Sequence, residues 1–322
     1  MDKVDAIGAA NALAKQSDAD VFLLNAPFEL GVDRIVVRAV SERRRRKNVI
    51  LILVTEGGDA AVAYRISRIF QAQYERFTAI VSGWCKSAGT LCVLGANEIA
   101  FGEFGELGPL DVQYLKKYEI SEVASGLDVS EALNKLQSHA FRVFEKSMLG
   151  IIQRSGGQVS FKLAAEIAAK MAIGVCEPLY RQIDPVILGD LERGMTIAKD
   201  YGKRLLVKGK NSTHDQLVAL AESYPSHGFV IDLREAENLF DNVRPCSEFE
   251  RKLLNALQEV VIDPGPQPVA TYLSAEAGEK DEIAEGVPHD QAPKSAHDAG
   301  GAGSDAGNSE GTDTASASGT EL

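Results

Sequence analysis

Two short loops hold the residues best suited to chemistry. Gly83-Trp84-Cys85-Lys86-Ser87-Ala88-Gly89-Thr90 places a serine at a corner between a β-rich run and a short apolar helix, flanked by residues of little bulk. Such a corner exposes a hydroxyl, as the strand-to-helix nucleophile turn of hydrolases does, although the pattern GxSxG is not met. Thr55-Glu56-Gly57-Gly58-Asp59 is a diglycine turn between an aliphatic run and a second helix. Glycines there let backbone N–H groups turn outward and approach a ligand closely. The helix N-terminus that follows adds partial positive charge. Anion and oxyanion sites are built this way. Each loop also has a plainer reading, Ser87 as a helix cap and the diglycine as a tight turn. A serine hydroxyl becomes a nucleophile only with a base in reach. Three of the five histidines lie outside the C-terminal stretch: His139, His214 and His227.

The elements that must position these loops are legible from periodicity. Val21–Asn25 reads as a strand and Leu30–Arg46 as a helix ending in basic residues. Val49–Val54 is a continuous aliphatic run, as expected of a strand covered on both faces. Asp59–Tyr74 reads as a helix capped by Asp59, with Ala63, Ile66, Ile69 and Phe70 at helical spacing. Phe77–Val81, a short helix Ala88–Leu94 and a strand Glu98–Phe101 follow. This β-α-β-α-β rhythm implies a parallel sheet, with both loops at the carboxyl ends of their strands, where such sheets bind ligands. Beyond residue 127 the pattern turns helical, over Val129–Gln153, Phe161–Met171, Pro185–Leu206 and Thr213–Ser223. A short strand Phe229–Ile231 and helices Leu233–Phe240 and Glu248–Val261 precede the Pro-rich stretch Asp263–Pro268. The expected domains are an N-terminal arm, 1–19, a folded domain, 20–268, and an acidic tail, 269–322.

Composition narrows the class. The chain has 322 residues, 45% hydrophobic, with a net charge of −12. Residues 274–322 carry −9 of that charge and are rich in Gly, Ala, Ser and Asp. Such a stretch buries too little apolar surface to offset ordering and reads as disordered. Its acidity argues against nucleic acid as a partner. The longest aliphatic run is six residues, far short of the roughly 20 that span a bilayer, and no signal-peptide core is seen. The four cysteines form no CxxC pair and read as reduced thiols of a cytoplasmic protein.

The stretches LILVTEGGDAAVAYRIS and FTAIVSGWCKSAGTLCVLGANEIAFGEFGELGPLDVQ are similar to the Clp protease, signal peptide peptidase and crotonase superfamily. Within it the chain most resembles the serine dehydrogenase proteinase family. QIDPVILGDLERGMTIAKDYGKRLL and YPSHGFVIDLREAENLF extend the resemblance, which covers roughly residues 20–244. It implies an α/β fold, a Clp/crotonase-like β-α spiral with a parallel sheet followed by a helical segment. It also implies a serine peptidase. Ser87 matches the nucleophile, and Gly58 and Ala88 match the oxyanion-hole positions. In Clp-type peptidases the histidine follows the next strand and the aspartate lies far downstream. Here the first of those segments, GELGPLD, ends in Asp111, and the second offers His227. The resemblance thus implies His227 as base and Asp111 as its orienting acid, with Asp184 as the alternative. The residues agree with His227: it sits in a Pro225–Gly228 turn that can aim an imidazole, whereas His139 reads as a helix-surface residue and His214 as a solvated helix start. Asp111, Asp184 and Asp232 also read as helix caps.

Other readings compete. A Ser–Lys dyad would draw on Lys86, Lys135 or Lys146, but a neighbouring side chain points away from Ser87 and the other two decorate a helix surface. A crotonase-like acyl-CoA enzyme would hold an enolate with the same N–H pair and use a carboxylate base. A non-catalytic Clp-like assembly or adaptor protein would keep only the scaffold. No metal or organic cofactor is expected, and no dinucleotide GxGxxG loop is present. The resemblance implies a homo-oligomer acting on a peptide or protein substrate, and no motif specifies an unfoldase partner. Arg43–Lys47 reads as solvated charge at a helix end, and Trp84 as either pocket lining or core beneath the turn.

Overall fold

Residues 3–110, 113–115, 123–265 and 267–274 are described by the structure, a computed structural model. The aliphatic run at 49–54 is continuous because both of its faces are covered. It lies in β2 (Asn48–Thr55), flanked by β1 (Ala19–Asn25) after helix α1 (Lys3–Ser17). Then come α2 (Val32–Arg43), which precedes β2, and α3 (Ala60–Gln73), which follows it. Next are β3 (Arg76–Cys85), α4 (Ala88–Val93), β4 (Glu98–Phe101) and β5 (Glu106–Leu107). A two-stranded antiparallel pair, β6 (Gln113–Leu115) and β7 (Val123–Ser125), leads to the long helices α5 (Gly126–Arg154), α6 (Phe161–Tyr180) and α7 (Pro185–Gly209). The remaining elements are α8 (His214–Glu222), α9 (Leu233–Leu239), β8 (Val243–Pro245), α10 (Glu248–Leu257) and β9 (Val269–Tyr272).

The sheet runs β8-β4-β3-β2-β1-β9, with β5 paired to the end of β3. All pairings are parallel except β9 on β1. The protein is thus an α/β protein with a mixed seven-stranded sheet. Side chains alternate with period two. Phe22, Leu24, Leu51, Leu53, Phe77 and Ala79 face the core shared with α2, α3 and α4. Val21, Leu23, Ile50, Ile52, Val54 and Ile80 face the core shared with α1 and α10.

Several boundaries differ from those expected. The chain before residue 20 is not an arm, since α1 buries Ala6, Ala10, Leu13 and Ala14 on the second face. At the other end, residues 269–272 add β9 to the sheet, so its pairing carries the folded part past Pro268. Helix α2 ends at Arg43, not Arg46, because Asp20 Oδ2 on β1 accepts the N–H groups of Arg45 and Arg46 at 2.9 and 3.2 Å. Arg44–Lys47 of the basic run therefore lie in a loop, with Arg44 over the Tyr74 ring. Helix α6 runs nine residues beyond Met171, with Pro178 in its last turn. Phe229–Ile231 is no strand and makes a single bridge, Ile231 to Leu107. Capping follows expectation at Asp59, whose Oδ1 accepts from Ala61 and Val62 N–H at 2.6 and 3.0 Å.

Candidate active site

The site is built where β2 and β3 end side by side. Lys86 N–H donates to Thr55 O at 3.0 Å, joining the two exits. Past Thr55 the chain turns through Gly57 and Gly58 at φ 109° and 127°, a region closed to side chains. A Cβ on Gly57 would stand 2.9 Å from Ser87 Cβ, so the first glycine is also what lets the second turn approach. Phe28 brackets the diglycine, donating to Gly57 O at 2.7 Å and accepting from Asp59 N–H at 2.7 Å. Gly58 N–H lies between these bonds. Among the described residues no hydrogen bond engages it, nor the N–H of Ala88.

Ser87 sits in a conformation rare for a side-chain-bearing residue, φ 50°, ψ −113°. Such backbone costs on the order of 1–3 kcal/mol and persists where the surroundings impose it. Its hydroxyl makes no cap hydrogen bond to α4, so the capping reading does not hold. Cys85, two residues earlier, is fully buried, and burial pushes its thiol well above the ordinary range, with Cys92 nearby adding to the effect. A thiolate nucleophile is disfavoured there. Lys86 turns away from the cavity into the protein, its Nζ 3.2 Å from Glu106 Oε2.

Ser87, Ala88, Gly58 and His227 line one cavity of about 530 Å³. His227 is half-buried on the loop between α8 and α9, and the fold tethers that loop at both ends. Tyr224 is buried, and its hydroxyl donates to Glu235 Oε1 at 2.8 Å. Ile231 exchanges two 3.0 Å backbone bonds with Leu107 of β5, and β5 pairs with β3 at Trp84 and Cys85. One continuous backbone ladder therefore links the loop of His227 to the strand that leads into the Ser87 turn.

The other sequence-predicted residues fall elsewhere. Asp111 lies outside the described residues, while its neighbour Leu110 lines the cavity. Asp184 is exposed and caps α7, its Oδ1 accepting from Val186 N–H at 2.8 Å. The first cavity-lining residue of that helix, Gly194, is ten residues on, about 15 Å at 1.5 Å per residue. Asp184 thus caps a helix and is not among the residues that line the cavity. Asp232 likewise caps α9 through Glu235 N–H at 3.0 Å. His139 and His214 are exposed on or beside helices and do not line the cavity. Lys135 and Lys146 are exposed on α5, also outside it. Trp84 neither lines the cavity nor packs in the core, being 44% exposed.

Sequence reading missed one wall. Helix α7 covers the cavity with Gly194, Ile197, Ala198 and Tyr201. Tyr201 stacks on Tyr64 of α3 at 4.4 Å and 8°, with Arg204 and Arg68 over the outer ring faces. The only signal for this was the presence of GMTIAKDYG in a stretch resembling the family. Among the described residues no cluster of three His, Cys, Asp or Glu could hold a metal ion. No described helix is long and apolar enough to cross a membrane.

The class that fold and cavity define is an α/β protein with two strand-to-helix turns opening on one cleft, one carrying a serine. Comparison with known proteins adds little to that. No family model matches the chain. An uncharacterized protein of Methanocaldococcus jannaschii is 30% identical over 93 residues, 29% of this chain and 32% of that protein. The chain thus spans about a third of that relative's length. Among solved structures, a mutant of the membrane-bound stomatin-specific protease 1510-N is 18% identical, covering 46% of this chain and 69% of its own, at a TM-score of 0.28. Neither likeness assigns a family or an activity.

Proposed function

We propose that the chain is a serine peptidase of the serine dehydrogenase proteinase type, on a Clp/crotonase-like scaffold. The observation that carries this reading is Ser87, held in strained backbone, making no cap bond, and sharing a cavity with His227 and two N–H groups that have no partner among the described residues. A capping serine needs none of these features.

In this mechanism Ser87 Oγ attacks a peptide carbonyl while His227 accepts its proton. The carbonyl oxygen, now an oxyanion, takes hydrogen bonds from Gly58 and Ala88 N–H, each worth about 3 kcal/mol in the transition state. His227 then gives its proton to the departing amine, and water releases the acyl group by the same route in reverse. Asp111 is assigned as the acid that holds the imidazole in one tautomer. Leu91, Leu110, Ile197 and Ala198 give the cavity an apolar wall for the substrate beside the reacting carbonyl.

A fluorophosphonate probe tests the assignment. We expect covalent labelling at Ser87, abolished in Ser87→Ala and reduced about 100-fold or more in His227→Ala, as loss of a general base does. Unchanged labelling of His227→Ala would remove the assigned base. Tight binding of an acyl-CoA, with turnover retained in Ser87→Ala, would instead move the chain to the crotonase-like reading.

A further inference from the structure

Helix α6 is covered on one side and open on the rest. Ala164, Ala168, Ala172 and Cys176, spaced by four, are its buried residues, and they pack on α5. The adjacent row Leu163, Ile167, Met171, Val175 and Leu179 is 39–53% exposed, and Phe161 and Ile173 beside it are more so. A helix apolar on nearly every side is normally a buried one. At roughly 150–200 Å² per side chain, these residues expose on the order of 600 Å². That is the upper end of what a monomer shows in one patch, and close to the ~800 Å² per partner of a stable interface.

We propose that this row is the contact between two copies of the chain, related by a two-fold axis at Met171. The proposal stands whether or not the cavity is a peptidase site. The row is its own complement. Reversed about Met171, Leu163 meets Leu179, Ile167 meets Val175 and Met171 meets itself, as an isologous contact requires. Residues spaced by four form a ridge that packs against an identical ridge at a crossing of about 50°. Ile167, Met171 and Val175 then fill the centre, and Leu163 and Leu179 the margins. Gly174 has nothing within 4 Å of where a Cβ would stand, which leaves room for a second backbone. The charges on α6 are Lys162, Glu166, Lys170 and Glu177, so a second copy meets no net charge. A bilayer surface, the other partner for an apolar face, calls for a basic border that this helix lacks.

Analytical ultracentrifugation of the full-length chain tests this. The wild type is expected to form dimers or larger even-numbered assemblies. Met171→Glu and Met171→Lys, each placing like charges across the axis, are expected to halve the mass and weaken association about 100-fold. Mixing the two variants is expected to restore it, since unlike charges then face each other. Both substitutions are at an exposed position, and unchanged circular dichroism checks the fold. A wild type monomeric at every concentration overturns the proposal, as do charge variants that keep the wild-type mass. A mixture that stays at half mass overturns the placement of the axis. Binding of wild-type monomer to phosphatidylcholine vesicles, lost in Met171→Glu, overturns it in favour of a membrane surface.

Discussion

Ser87 concentrates the tension between stability and activity in one residue. Its φ of 50° and ψ of −113° are cheap only for glycine, yet a glycine has no hydroxyl. Ser87→Gly is therefore expected to abolish probe labelling while raising stability by about 1 kcal/mol, or about 2–4 °C in Tm for a domain of this size. A lower Tm in that variant would show the backbone to be unstrained. Gly57 is constrained in the opposite sense, because its φ of 109° and the nearness of Ser87 Cβ both exclude a side chain. The diglycine was legible in the sequence as a turn. Only the register of β2 against β3, which slips between Leu53 and Thr55, sets that turn against Ser87.

The strand pair β3–β5 carries the burden of alignment. It joins the Ser87 turn to the bridge at Ile231 and so to the His227 loop, and Lys86 and Glu106 close it with side chains 9% and 18% exposed. A buried pair is weak support as a pair, but removing one partner strands the other charge. Glu106→Leu is expected to cost about 3–5 kcal/mol, and Lys86→Met with Glu106→Leu to recover most of it. Chemical denaturation of the three proteins measures this, and additive losses in the double variant would rule out coupling. Lys86 was readable beforehand as a poor base for its neighbour. That it points inward to a carboxylate twenty positions on was not readable, because β5 is two residues long and leaves no periodic trace.

Across the molecule, the far edge of the sheet is tied by Arg244, which reaches Glu98 on β4 at 2.7 Å and Glu250 on α10 at 2.6 and 2.8 Å. Burial alone would raise both carboxyls, but hydrogen bonds and charge from Arg244, joined by Arg76 at Glu98 and Ser247 at Glu250, hold them below the usual carboxylate range. Carboxylates lowered in the folded state add stability above their unfolded pKa, about 4.3 for glutamate, and lose it as pH falls through the folded value. Tm is thus expected to be level above about pH 5 and to fall below pH 4. Arg244→Met should lower Tm at neutral pH and flatten the acid limb, since Glu250 then gains from protonation. An acid limb as steep as that of the wild type would remove these glutamates as its source.

Local pattern determined the parallel strands, their helices, the caps at Asp59 and Asp184 and the two loops with chemical potential. Period-two and period-3.6 burial are written into short windows of the chain. The tertiary structure alone decided the rest. It brought His227, 140 residues from Ser87, onto the same cavity, and it set Asp184 at the start of α7, off the lining of that cavity. It also turned α7 into a wall and recruited α1 and β9 to the sheet. These outcomes depend on contacts between segments remote in sequence, whose energies come from burial and backbone pairing that no local window contains.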